Sequence, residues 1–332
     1  MNGPTRRALG AGVLGAGVLG TAAFAALPAA AQAWPARPIR IIVPFPPGGS
    51  TDLLARRLAE RMTASLGQTV VVENRAGAGG TTGADLVAKS PPDGYTLLVG
   101  VTGSNAIAAS LFPNLPYDPV RDFAPVSRLV SAPLILVVNP RFPAQDLAGF
   151  IAAARAAGGS PITYATPGNG TSMHLTGEMF AQAARVPLQH VPYRGSAQAT
   201  TDLIAGQVQS SFADFLVSLP HIQSGAIRAI AVTSRERHPL LPEVPTMHEA
   251  GLPGFEAASW QGLFAPAGTP PDILARLHAE VVATLAAPEV REPFARQGFI
   301  VGATRPDEFA AFIREEVAKW REVVRAGNIR PD

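Results

Sequence analysis

The chain of 332 residues carries 27 lysine and arginine residues against 25 aspartate and glutamate residues, a net charge of +2, and it contains no cysteine. This balanced charge, with no basic run interleaved with aromatic residues, argues against a nucleic-acid partner. The absence of cysteine excludes disulfide bonds and a cysteine-linked lipid anchor. The length suits two domains of ordinary size.

The first 33 residues have the features of an export signal. Arg6 and Arg7 precede an uncharged apolar stretch over residues 8–27, and residues 31–33 (AQA) provide a small-x-small cleavage site. The sequence therefore predicts cleavage before Trp34 and a periplasmic location, reached by the Sec or the twin-arginine route. The alternative is an uncleaved anchor, because residues 8–27 are about long enough to span a bilayer.

From residue 39 the chain alternates strand and helix patterns. The first half predicts strands over 39–43, 70–73 and 96–101, and helices over 52–66 and 81–89. The second half predicts strands over 162–165, 188–191, 208–212 and 227–233, and helices over 173–184, 197–205 and 215–223. Two C-terminal helices are predicted over 271–285 and 306–325. Apolar strands separated by helices indicate an α/β protein with parallel sheets covered on both faces.

Two apolar segments, 132–138 and 257–266, fit neither half and are predicted to be paired hinge strands. The first enters the second half of the chain and the other leaves it. This arrangement predicts a first domain of residues 34–134 and 256–332 and a second domain of residues 135–255. The C-terminal helices would then return to the first domain.

Two glycine-rich segments, 44–52 and 165–172, have the same construction. Each follows a β-branched strand, contains glycine together with Ser or Thr, and precedes an amphipathic helix. A helix start leaves backbone N–H groups without partners and carries partial positive charge, and glycine lets an anion approach them closely. The matched placement predicts that the two segments grip one small anion between two domains. Either segment alone is also compatible with an ordinary helix start.

Residue patterns that would indicate catalysis are weak. Residues 170–174 resemble a nucleophile elbow but lack its final glycine, and Ser172 and His174 are expected to diverge at a helix start. Residues 77–83 miss the spacing of a dinucleotide fingerprint, and the six histidines lack metal-ligand spacing. No catalytic residue, metal site or cofactor is therefore predicted.

Asp214 follows the strand predicted over 208–212, and the carboxyl ends of strands face the crevice in open α/β sheets. It is therefore a candidate ligand contact. The alternative is an N-cap for the helix predicted over 215–223.

Ordered matches to one family run along the chain after residue 33. They are PIRIIVPF (38–45), GGSTD (48–52), VVVENR (70–75), DGYTLL (93–98), PYDP (116–119), GNGT (168–171), HVPY (190–193), PEVPT (242–246) and APAGTP (265–270). On these stretches the chain resembles the substrate-binding receptors of tripartite tricarboxylate transporters, often called Bug receptors.

The resemblance implies a two-domain periplasmic-binding-protein fold, type II-like, in which each domain is a sheet flanked by helices and the ligand lies in the cleft between them. It also implies that loops from opposite domains pinch a carboxylate, with a flanking contact after the third strand. With Asp214 added, the predicted ligand-binding residues are Phe45, Gly48, Gly49, Ser50, Thr51, Thr102, Ser104, Thr166, Gly168, Asn169, Gly170, Thr171, Ser172 and Asp214.

The resulting hypothesis is a periplasmic receptor that captures a small carboxylate-bearing anion and delivers it to a membrane permease. It would act as a monomer that meets the permease subunits transiently. Two other classes stay open: a sensory partner that presents its ligand to a two-component system and, less favoured, a periplasmic hydrolase. The sequence leaves open which carboxylate is bound and whether the resting receptor is open or closed.

Overall fold

The computed structural model describes residues 34–330, and the export signal predicted for residues 1–33 lies outside this range. Within the described range, no helix combines the length and the apolar character needed to cross a membrane.

The described residues form ten strands and ten α helices. The strands are β1 (Ile39–Val43), β2 (Val70–Asn74), β3 (Thr96–Val101), β4 (Phe123–Val138), β5 (Ile162–Thr166), β6 (Leu188–Pro192), β7 (Ser210–Asp214), β8 (Arg228–Val232), β9 (Ala258–Pro266) and β10 (Ile300–Val301). The helices are α1 (Ser50–Leu66), α2 (Thr81–Ala88), α3 (Ala108–Leu111), α4 (Leu147–Ala156), α5 (Ser172–Ala184), α6 (Ser196–Ala205), α7 (Phe215–Gln223), α8 (Pro271–Ala286), α9 (Pro288–Arg296) and α10 (Pro306–Gly327). A 3₁₀ turn (Ala78–Gly80) precedes α2, and a π-helical turn (Gly103–Ile107) precedes α3.

Most predicted elements are confirmed to within one or two residues at their ends. β3 and α7 coincide with the predictions, whereas β7 lies two residues later than predicted. Polar residues account for this shift, because the hydroxyls of Ser210 and Ser211 donate to carbonyl oxygens of β5 at 2.8 Å each. Three helices, α3, α4 and α9, were not predicted, although Asp146 caps α4 by accepting from the Gly149 N–H at 2.7 Å.

The long strand β4 belongs to two sheets. In the first sheet the strand order is β2-β1-β3-β9-β4, and β10 also pairs with β4. β1 is parallel to β2 and β3, while β9 is antiparallel to β3 and β4. In the second sheet, β7 and β8 pair antiparallel with the end of β4, and β5 is parallel to β6 and β7. The predicted parallel pairing therefore holds inside each strand–helix repeat, and the shared strand adds the antiparallel pairs.

The predicted pairing of residues 132–138 with residues 257–266 holds only at Ala132 and Pro133, which pair with Ser259 and Ala258. β9 pairs with β4 from Phe123 to Pro133, and residues 134–138 pair instead with β7 and β8. The first part of β4 was missed because it contains proline and polar residues, and its register shifts beside Pro125. Proline cannot donate to a strand ladder and is accommodated at such irregularities.

The helix α1 covers one face of the first sheet. Ile39 and Ile41 pack in a cluster with the apolar face of α1, which presents Leu54, Leu58 and Met62. α1 ends at Gly67, whose φ of 66° is the left-handed conformation common at helix ends.

The last helix, α10, buries an apolar stripe. Phe309, Ile313, Val317 and Trp320 pack into the core, and α10 lies against both β4 and α5. A helix late in the sequence is thereby in contact with elements of both halves of the chain.

Candidate functional site

A cavity of about 530 Å³ lies among segments that follow β1, β3, β5, β6 and β7. These segments are the carboxyl ends of parallel strands in both sheets, where open α/β sheets bind their ligands. We call this space the central cavity. It is lined by residues 45–53, 79, 101–103, 167, 171–173, 194–197, 214, 216, 217, 259 and 261.

Four helices begin at the central cavity. Their N-cap residues are Gly49 (α1), Thr171 (α5), Gly195 (α6) and Asp214 (α7), and all four line it. The first N–H groups of a helix have no intrahelical partner, and the helix dipole adds partial positive charge there. The convergence gives the cavity a field that favours an anion.

The start of α1 is unencumbered, as is that of α6, whose Gly195 likewise lacks a side-chain cap. Gly49 has extended backbone angles (φ −80°, ψ 171°) and carries no side-chain cap, and a β-carbon placed on it would meet nothing within 4 Å. Ser50 and Thr51 follow it on the cavity wall. Backbone N–H groups and two hydroxyls are therefore available at one corner of the cavity.

Asp52 holds this first loop in place. Its carboxylate accepts hydrogen bonds from the Gly48 N–H (3.0 Å), from Arg56 (2.9 Å) and from Asn74 (3.0 Å), and Asn74 also donates to the Phe45 carbonyl oxygen at 3.0 Å. Burial raises the pKa of the Asp52 carboxyl, but these hydrogen bonds outweigh burial and hold the pKa below its usual value. The negative charge of Asp52 is thus already balanced by these hydrogen-bond donors.

The start of α5 is capped internally. The Thr171 hydroxyl donates to the Gly168 carbonyl oxygen at 2.8 Å and accepts from the His174 N–H at 3.3 Å, while the Gly170 N–H donates to His174 Nδ1 at 3.2 Å. The loop before α5 is therefore fixed by its own side chains.

Ser172 and His174 are placed differently from each other. Ser172 lines the cavity, with its hydroxyl 3.4 Å from the Met173 sulfur. The His174 ring stacks on His190 with ring centroids 4.0 Å apart. Burial, followed by the proximity of His174, lowers the pKa of His190 to about 3.

The structure brings nine of the predicted ligand-binding residues to the central cavity. They are Phe45, Gly48, Gly49, Ser50, Thr51, Thr102, Thr171, Ser172 and Asp214. The other five lie outside its lining: Ser104, Thr166, Gly168, Asn169 and Gly170.

Tertiary contacts explain why these five lie elsewhere. Fully buried Ser104 donates to Asn105 at 2.6 Å, and the Thr166 hydroxyl is hydrogen-bonded to His190 at 2.6 Å. The backbone at 168–170 faces two glycine turns of the first half. A β-carbon on Gly79 would come within 3.0 Å of the Asn169 oxygen, and one on Gly103 within 2.9 Å of the Gly170 oxygen. This part of the loop therefore packs against the first half of the chain.

Several cavity residues were not predicted. The polar ones are Asp52, Arg194, Ser196, Ser259 and Gln261, and the apolar ones include Leu53, Met173, Leu216 and Val217. Arg194 could have been found, because the segment YRGS (193–196) also joins a strand to a helix through glycine. Ser259 and Gln261 carried no such signal, since they reach the cavity only through the position of β9 in the sheet.

Asp214 joins two helix starts. Its side chain caps α7 by accepting from the Val217 N–H at 3.0 Å, and it accepts from the Ser196 hydroxyl of α6 at 2.8 Å. Burial raises the pKa of this carboxyl, and the hydrogen bonds from Val217 and Ser196 offset only part of that effect. Asp214 therefore caps α7, as one of the two alternatives predicted, and also lines the central cavity, as the other predicted.

Between residues 34 and 330, no three His, Asp or Glu side chains are grouped so that they could hold a metal ion.

Comparison with known proteins assigns the chain to a family. The family model described as "Tripartite tricarboxylate transporter family receptor" matches residues 54–329. The chain belongs to this receptor family. The receptor is 42% identical over 301 residues to "Protein BugT" of Bordetella pertussis, covering 90% of this chain and 92% of the relative.

Solved structures agree with this assignment. The receptor matches "R. palustris Rpa4515 with adipate" at 35% identity and a TM-score of 0.83, covering 90% of this chain and 100% of the other. It also matches MatC of Rhodopseudomonas palustris with bound malate at 36% identity and a TM-score of 0.79, covering 87% of this chain and 99% of the other. The predicted family and the periplasmic-binding-protein fold are thereby confirmed.

Proposed function

We propose that this chain is a periplasmic receptor that captures a small carboxylate-bearing organic anion and delivers it to the membrane subunits of a tripartite tricarboxylate-type transporter. The observation that carries the proposal is the meeting of four helix starts, two of them without side-chain caps, around one cavity. Such a site supplies N–H donors and positive potential without a metal or a cofactor.

The carboxylate is assigned to the start of α1. The first-turn N–H groups after Gly49 and the hydroxyls of Ser50 and Thr51 supply hydrogen bonds, and bonds of this charge-assisted kind contribute roughly 1.5–3 kcal/mol each. Because Asp52 is committed to Arg56 and the loop, its charge is largely neutralised before an anion arrives. The relatives with adipate and malate, both carboxylates, support this ligand class.

Arg194 adds an exposed positive charge to the site. It lines the cavity, is exposed, and makes no ion pair with any residue between 34 and 330. A cation placed at the mouth of a cavity raises the local concentration of anions. We assign Arg194 to attraction of the ligand and to contact with its outer end.

The receptor is proposed to bind its ligand without changing it. Family relatives are receptors, and here the hydroxyl of Thr171 serves the helix cap while the His174 ring supports the Gly170 N–H. Release to the permease then requires only reopening of the cavity. We take the receptor to be a monomer that contacts the permease transiently.

Export follows from the same proposal. Protein recovered from the periplasm should begin at Trp34, which mass spectrometry of the intact chain can establish. A full-length chain retained in the membrane fraction would contradict a freely diffusing receptor.

A thermal-shift screen tests binding directly. Periplasmic protein is melted with adipate, malate, citrate, benzoate and nicotinate, each paired with its neutral amide as the control. A ligand at 100 times its dissociation constant stabilises the folded state by about 2.7 kcal/mol, so a specific acid should raise the melting temperature while its amide should not. Equal shifts for acids and amides would contradict recognition of a carboxylate, and no shift with any organic acid would contradict the proposed ligand class.

A further inference from the structure

Gln261 carries a buried polar atom that the fold itself leaves unsatisfied. The side chain is 5% exposed and lines the central cavity. Its Nε2 donates to the Ser50 hydroxyl at 2.9 Å, whereas its Oε1 is buried and has no hydrogen-bond partner among the described residues. Buried amide oxygens are seldom left this way, because the loss of water is then uncompensated.

The strand β9 directs this side chain into the cavity. Ser259 and Gln261 both line the cavity, while Trp260 between them is buried in the core and donates to Glu316 at 2.9 Å. This alternation is the normal two-residue period of a strand. Gln261 therefore lies on the cavity face of a central strand, which is paired on both edges.

The hydrogen-bond arrangement around Ser50 fixes what the free oxygen can do. Since Gln261 Nε2 donates to the Ser50 oxygen, the hydroxyl proton of Ser50 remains available to the anion bound at the start of α1. The opposite amide orientation would consume that proton. Gln261 Oε1 is then an acceptor beside the carboxylate site, and it requires a donor.

We propose that Gln261 is a specificity-determining residue whose Oε1 accepts a hydrogen bond from a hydroxyl of the ligand, and that the preferred ligands are hydroxycarboxylates with the hydroxyl close to the carboxylate. The proposal rests on the carboxylate function given above. A single neutral acceptor suits one hydroxyl, whereas an ammonium group would need further acceptors. The hydroxyl must be near the carboxylate because Ser50, which borders the anion, contacts the same amide group.

Apolar side chains line much of the remaining cavity, including Leu53, Met173, Leu216 and Val217. They accommodate the carbon body of the ligand. Two matched probe pairs, which differ only by the 2-hydroxyl, therefore span the class: malate with succinate, and mandelate with phenylacetate.

Isothermal titration calorimetry on the whole periplasmic protein tests the inference. In the parent, the hydroxylated member of at least one pair should bind about 5- to 150-fold more tightly, the range expected for one buried hydrogen bond. Gln261→Met, which has similar length but no acceptor of comparable strength, should erase this preference while retaining affinity for the unhydroxylated acid. Gln207→Met, at an exposed position outside the cavity, is the matched control and should keep the preference.

Each other outcome has a defined meaning. Equal affinity of the parent for both members of each pair would overturn the inference and imply a water on Gln261 Oε1, while leaving the carboxylate receptor intact. A preference for the hydroxylated acid that persists in Gln261→Met would show that Gln261 does not determine the selectivity. If none of the four acids binds, the hydroxycarboxylate assignment fails. The broader screen of other organic acids then decides separately whether the proposed function stands. The melting temperature of Gln261→Met, measured alongside, shows whether the variant is folded.

Discussion

Placing a charged cap at the start of α1 should stabilise the protein and weaken ligand binding at the same time. Gly49 is an N-cap residue in an extended conformation, has no side-chain cap, and has no atom within 4 Å of its β-carbon direction. Asp at this position can accept the free N–H groups of the first turn. These are the same groups that we assign to the ligand carboxylate.

The two effects can be estimated separately. An Asp cap in place of glycine, together with its favourable interaction with the helix dipole, should add about 0.5–1 kcal/mol to the free energy of unfolding. That corresponds to a rise in melting temperature of about 1–3 °C for a chain of this size. The new carboxylate would lie about 5 Å from the ligand carboxylate, and at an effective dielectric constant of about 20 their repulsion is about 3 kcal/mol. Affinity should fall by roughly a hundredfold or more.

Two control variants separate charge and bulk from capping. Gly49→Asn caps the helix without adding charge, so it should show a similar thermal gain and a smaller loss of affinity. Gly49→Ala adds a methyl group without a cap and should show no thermal gain. Differential scanning calorimetry and titration with one confirmed acid measure both quantities. If Gly49→Asp raises the melting temperature as Gly49→Asn does, yet binds the acid within about twofold of the parent, the start of α1 is not where the anion lies.

Three further predictions concern other parts of the site. Thr51→Val should weaken ligand binding by about 5- to 150-fold with little change in melting temperature, and unchanged binding would argue against a hydroxyl contact. Thr171→Val should mainly lower the free energy of unfolding, by about 0.5–2 kcal/mol, because the Thr171 hydroxyl caps α5. Because burial raises the pKa of Asp214 above its usual value, its negative charge is lost as the pH falls toward that raised pKa, and repulsion of the anion is lost with it. Affinity for an acid that stays ionised should therefore rise in the parent as the pH is lowered toward that pKa and stay flat in Asp214→Asn, and parallel profiles of the two proteins would refute a role of the Asp214 charge in ligand affinity. The two predicted domains, residues 34–134 with 256–332 and residues 135–255, should close about β4 and β9 when a confirmed ligand is added. Small-angle scattering should then show a smaller radius of gyration, and an unchanged radius would indicate a cavity that is already closed.

The features visible in the sequence are those whose cause is local. The start of α1 within GGSTD and the left-handed end at Gly67 each involve residues only a few positions apart, so the local sequence reveals them. The same holds for Asp214, whose hydrogen bond to the Val217 N–H spans three residues. The repeated strand–glycine–helix order likewise placed seven of the predicted residues at the cavity.

Tertiary structure alone decided which side of the second loop faces the central cavity. Composition treats residues 168–172 as equivalent, but Asn169 and Gly170 lie against the glycine turns at 79 and 103, and the cavity receives Thr171 and Ser172 instead. That choice depends on how closely two distant backbones approach each other. No pattern within the loop encodes it.

The strand β9 shows most clearly that the local sequence does not reveal which side chains reach the cavity. Gln261 donates to Ser50 across 211 residues of sequence, and it does so because β9 lies between β3 and β4 in the first sheet. Local periodicity predicts that a strand exists and which residues share its face, but strand partners are chosen by long-range pairing. The sequence therefore determined by itself the helix starts that we assign to the anion, and the folded sheet decided which side chains complete the cavity around them.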